Sequence, residues 1–181
     1  MYLHRLQGIA SFIDTLNDRV GTFTGWLTAL LVLVVCYDVF TRYLLNESQI
    51  AVQELEWHLF SLIFLLGAAY TLRRDRHVRV DVIYLNFSDR TKAWVNLAGG
   101  LLFLIPFAII VIKSSQNFVL NSFVIHETSA DPGGLPARFL LKSCIPLGFV
   151  LVLLQGVSQV IHSLTQITGN GRENPVEVPH D

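Results

Sequence analysis

Four long apolar runs divide this chain, and polar stretches separate them. The runs cover residues 20–45, 52–72, 93–112 and 138–164. Each is about 20 residues or longer, the length an α-helix needs to cross roughly 30 Å of hydrocarbon. Lipid offers the backbone no hydrogen-bond partners, and a helix satisfies its own. The pattern therefore predicts an all-α integral membrane protein with four transmembrane helices. Ahead of the first run, Leu3, Leu6, Ala10, Ile13, Leu16 and Val20 recur at helical spacing, and Ile9 and Phe12 widen the stripe. Arg5, Ser11, Asp14 and Asp18 fall elsewhere. Residues 1–19 read as an amphipathic helix lying in the membrane interface ahead of the first span. A plain extension of that span is the other reading. Residues 166–181 are polar and rich in Gly, Asn and Pro, the composition of a disordered tail.

The second run breaks off into LLGAAYTLRRDRHVRVDVIY, residues 65–84, with Arg73, Arg74, Arg76 and Arg79 close together. A charge at the bilayer centre costs about 2.5–3.5 kcal/mol on insertion scales. The helix is expected to leave the membrane at about Leu72, with the arginine segment on the cytoplasmic side. Four spans then put both termini in the cytoplasm. Of the 13 Lys and Arg residues, nine fall inside on this plan. Arg42, Lys113, Arg138 and Lys142 fall outside. The inner segment 73–92 ends at Ser88-Asp89-Arg90, a helix-start signal for span three. Ser114 to Pro136 reads as the longest outer loop.

Polar residues at the span ends are the candidates for chemistry. Asp38 and Arg42, four apart, can neutralise each other on one helix face or meet another subunit. Glu54, Glu56 and His58 open span two, where the helix dipole favours carboxylates. Glu54 and His58 share a face and Glu56 points elsewhere. A carboxylate pair could act as acid and base, but nothing else in the chain completes an active site, so no enzyme is expected. His77 and Asp81 stand four apart among arginines. They read as a structural pair and not as metal ligands. Pro106 is expected to kink span three. Gly67-Ala68-Ala69, Gly148 and Gly156 are expected at close helix contacts.

Composition narrows the class. The chain of 181 residues is 52% hydrophobic and only 15% charged, against about 25% charged in soluble domains. Its net charge of -1 and the lack of a basic stripe outside the one loop argue against a nucleic-acid partner. Cys36 and Cys144 lie in apolar runs and read as small hydrophobes. No cleavable signal peptide is expected. No acidic or basic residue falls near the middle of a predicted span, which argues against a self-contained ion or solute pathway. A haem-carrying membrane anchor of an electron-transfer complex is the alternative. It needs two histidines at matching depth, and His58 and His162 fall near opposite ends of their spans.

Several stretches together resemble one family. They are YDVFTRYLL, QELEW, the 65–84 stretch, and HETSADPGGLPARFLLKSCIPLGFVLVLLQ. Over about residues 20–160 the chain is similar to the DctQ-like small membrane subunit of tripartite ATP-independent periplasmic (TRAP) transporters. The resemblance implies a bacterial inner-membrane protein without a cofactor. Its implied partners are a large multi-span, DctM-like transport subunit and a periplasmic substrate-binding protein. It implies import of organic acids with a sodium gradient, the small subunit acting as a scaffold that helps dock the binding protein. The matching positions are Arg42, Glu54, Glu56, Arg73, Arg76, His77, Arg79, Asp81, Glu127, Ser129, Pro136, Lys142 and Pro146. The resemblance makes them packing, orientation and subunit-contact residues. Arg138-Phe139 departs from the family, which often carries tryptophan there. The HVRVD version of the central stretch is similar to the branch handling keto or hydroxy acids.

Overall fold

The computed structural model describes residues 2–74 and 87–168, with side chains from Arg5 onward. Every regular element among these residues is helical. Helix α1 runs from Tyr2 to Leu44, and α2 from Ile50 to Arg73. Helix α3 runs from Asp89 to Val124, and α4 from Arg138 to Ile167. All four are long and apolar enough to cross a membrane.

Helix α4 is the hub. It packs against α1, α2 and α3, and α1 also packs against α2. Small residues set these contacts. A Cβ at Gly148 would stand 2.6 Å from the Leu65 carbonyl oxygen of α2. A Cβ at Gly156 would stand 2.9 Å from Leu104 Cδ2 of α3. The two glycines thus admit two different helices. Ala69 is fully buried and joins Leu72 and Val152 in the apolar core, whereas Gly67 has open space beside it. Large apolar side chains such as Trp26, Phe60, Phe103 and Phe107 point outward, as lipid-facing residues do.

Three boundaries differ from the sequence expectations. First, α1 is unbroken through residues 19 and 20, so no joint separates an interfacial helix from the first span. Its 43 residues extend about 64 Å at 1.5 Å per residue, well beyond the hydrocarbon thickness. The buried face of its first half is Ala10, Ile13, Asp14 and Asn17, while Leu6, Ile9 and Phe12 are exposed. The apolar stripe is thus split: Ala10 and Ile13 face the bundle beside Asp14 and Asn17, and Leu6, Ile9 and Phe12 face outward. Second, α3 continues to Val124 instead of ending at Ile112, and Lys113 lies eleven residues before its end. Serine explains the difference. Ser114 and Ser115 return their hydroxyls to the carbonyls of Val111 and Ile112, and Ser115 and Ser122 face inward. A run read as loop is therefore helix, and the loop is 125–137. Third, α4 reaches Ile167, three residues beyond the expected end.

Pro106 follows a π-helical segment, Gly100–Leu104, in which the Ile105 N–H bonds to the Gly100 carbonyl. The wider turn gives way one residue before the ring that cannot donate. Ser88 caps the start of α3, its Oγ accepting the Thr91 N–H at 3.3 Å. Helix α3 ends with His126 at φ 49°. There Glu127 N–H bonds the Ser122 carbonyl and His126 N–H bonds that of Phe123, a Schellman closure.

Candidate functional site

The polar side chains collect at the two ends of the bundle. One end holds the 125–137 loop, and Glu54 on the second turn of α2 organises it. Glu54 is 4% exposed. Its Oε1 accepts the Ser129 hydroxyl and, at 3.1 Å, Arg138 Nη2. Its Oε2 accepts the Leu135 N–H at 2.5 Å. Three donors from the loop and from the start of α4 thus converge on one carboxylate of α2. The loop is shaped to reach it. Ser129 N–H bonds the Leu135 carbonyl, and Gly134 N–H that of Asp131. A Cβ at Gly134 would collide with Ser129 and stand 2.8 Å from Glu54 Oε2. Only glycine fits between serine and carboxylate.

Glu127 and Lys142 close the same end. Lys142 Nζ donates to Glu127 Oε2 and stands 4.0 Å from the centre of the Phe118 ring, a cation–π contact. The bond from Lys142 holds the Glu127 carboxyl below the ordinary carboxylate range. Arg138, besides gripping Glu54, lies 5.8 Å over the Trp57 ring. Pro136 precedes Ala137, which takes the left-handed φ of 62° where α4 starts. Pro146 lies inside α4, a turn beyond Lys142.

Asp38, Arg42 and Glu56 sit nearby, between α1 and α2. Arg42 pairs with Asp38 across one turn of α1, the first of the two readings that the spacing left open. Asp38 is buried at 2% exposure. Glu56 faces this pair and not the loop. His58 Nδ1 lies 2.5 Å from the Glu54 carbonyl oxygen.

The opposite end holds a second network, centred on Asp14 of α1. Asp14 accepts Ser158 Oγ at 2.7 Å and Gln155 Nε2 at 3.0 Å. It also bonds His162 Nε2 at 3.0 Å and lies 3.5 Å from Arg73 Nε. Asn17 Nδ2 donates to Gln155 Oε1 at 2.7 Å. Asp18 approaches Arg73 at 3.9 Å and Arg74 at 3.5 Å. One carboxylate therefore ties three helices together.

Of the sequence candidates, Glu54, Ser129, Glu127 and Lys142 come together in one cluster with Pro136 at its edge. Arg42 and Glu56 form a second group, and Arg73 belongs to the far end. Arg76, His77, Arg79 and Asp81 lie outside the described residues. Arg138, Asp14, Asn17, Gln155, Ser158 and His162 were not picked out by sequence reasoning as site residues. A signal existed for the last five. Asp14 and Asn17 follow Ala10 at helical spacing, and Gln155, Ser158 and His162 do the same on α4. His58 and His162 belong to opposite ends, and each bonds within the chain.

The described residues thus present two polar girdles, with an apolar exterior between them. Comparison with known proteins names the architecture. Residues 31–166 match the family described as the DctQ component of tripartite ATP-independent periplasmic transporters. The chain is 22% identical over 154 residues to the sialic acid TRAP transporter small permease protein SiaQ of Vibrio cholerae, covering 85% of this chain and 86% of that protein. It is 28% identical over 172 residues to the ectoine TRAP transporter small permease protein TeaB of Halomonas elongata, covering 91% and 84%. With the family match spanning most of a four-helix membrane chain, this protein belongs to the DctQ component family and is a small permease subunit of a TRAP transporter.

Proposed function

We propose that this subunit is the non-translocating scaffold of an importer for organic acids driven by a sodium gradient. It stands in the bacterial inner membrane with both termini in the cytoplasm. It joins a large multi-span transport subunit and helps a periplasmic binding protein dock. The family match over residues 31–166 carries the reading. The name of one relative, a sialic acid transporter protein, supports an acidic solute. The use of polar groups supports the scaffold role. Asp14, Glu54 and Glu127 commit their oxygens to donors of this same chain. Carboxylates engaged in this way brace the helices against one another. No catalytic step is assigned to the chain.

Purification from native membranes in mild detergent tests this. A large, very hydrophobic partner is expected to accompany the subunit. Vesicles containing both subunits and the binding protein should accumulate a carboxylate solute only when sodium is higher outside. Uptake by vesicles holding this chain alone would overturn the scaffold reading. Uptake indifferent to sodium would overturn the coupling.

A further inference from the structure

One acidic pair takes no part in either polar girdle. Asp38 lies six residues before the end of α1, and Glu56 six residues after the start of α2. At 1.5 Å per residue each sits about 9 Å inside its helix end. The two positions match in depth on packed, consecutive helices. Asp38 is 2% exposed. Its Oδ2 accepts Arg42. Its Oδ1 is shut off from solvent and accepts nothing, and the same is true of Glu56 Oε1. Asp38 and Arg42 are the charged neighbours that Glu56 faces.

Fully ionised, the three side chains would carry one surplus negative charge and two enclosed acceptors without a donor. Buried acceptors are almost always satisfied, surplus charge within a span is costly, and neighbouring carboxylates resist ionising together. A cation is therefore required, and the enclosure selects which. A metal ion or a lysine from a partner helix would need room and a path to these oxygens. A proton needs neither, and once bound it becomes the missing donor.

We propose that Asp38 and Glu56 hold one proton between them at neutral pH. Glu56 donates its O–H to Asp38 Oδ1 while Arg42 holds Oδ2. The result is an uncharged three-residue clasp joining α1 to α2 inside the membrane. Arg42 sits on Asp38, so the negative charge is best placed there and the proton on Glu56. The proton nonetheless belongs to the pair in any titration.

Infrared spectroscopy of the full chain in lipid nanodiscs tests the clasp. At neutral pH the wild type should show the carbonyl stretch of an un-ionised carboxyl. Glu56→Gln should abolish that band, and Glu47→Gln, at an exposed loop carboxylate, should leave it. Because an amide still donates to Asp38, Glu56→Gln should melt close to wild type while Glu56→Ala melts lower. A band that survives Glu56→Gln would overturn the proposal. So would equal melting losses in Glu56→Gln and Glu56→Ala, the outcome expected if a partner's cation fills the site.

Discussion

At the residue scale, the 125–137 loop depends on one carboxylate and one missing side chain. Glu54→Gln removes the charge from the acceptor shared by Ser129, Leu135 N–H and Arg138. It should lower the melting temperature and expose the loop to protease, both measurable on the purified subunit. Gly134→Ala should do the same by steric displacement, because its Cβ has no space beside Glu54. The Glu127 and Lys142 pair adds a pH dependence. The bond from Lys142 lowers the Glu127 pKa in the folded chain. Its contribution is therefore present above the unfolded value, about 4.3, and is lost as pH falls through the lower folded value. Proteolysis of the loop should accelerate in that acid window, and Glu127→Gln should remove that step in the pH profile.

At the element scale, the helices pack by small residues and are tied by buried polar ones. Gly148→Ala places a methyl against the Leu65 carbonyl oxygen. Overpacking of this kind costs about 1–3 kcal/mol, to be read as a lower melting temperature. Asp14→Ala leaves Gln155, Ser158, His162 and Arg73 without their shared acceptor. An unsatisfied buried donor costs about 1–3 kcal/mol. Hydrogen exchange should then rise in the first half of α1 and at the end of α4, with α3 unaffected. The sequence placed Asp14 off the apolar stripe. It could not show that Asp14 and Asn17 share the buried face with Ala10 and Ile13. In water the apolar side would turn inward. In a membrane protein Leu6, Ile9 and Phe12 lose nothing by facing out, and Asp14 gains partners by facing in.

At the scale of the whole molecule, the plan requires two polar ends on opposite sides of a bilayer. Reporter fusions check the orientation. A fusion after Ile167 is expected to report from the cytoplasm, and an insertion at Asp131 from the opposite side. The reverse pattern would invert the proposed topology. Arginine density carries that expectation, and the helices as packed accept either orientation.

The number and class of the helices were determined by the sequence alone, because twenty consecutive apolar residues have one stable form in lipid. The starts at Ser88 and Arg138 and the pairing of Asp38 with Arg42 were likewise readable, since capping and i,i+4 contacts are local. The family was readable too, from motifs spread along the chain. The reach of α3 to Val124 was not. Ser114 and Ser115 suit a loop as well as a helix until their hydroxyls find carbonyls and Ser115 turns inward. Nor was the convergence of Ser129, Leu135 and Arg138 on Glu54, which joins positions up to 84 residues apart. Only the tertiary structure decides which helix a polar side chain meets. The energy that fixes that choice comes from removing both partners from water together.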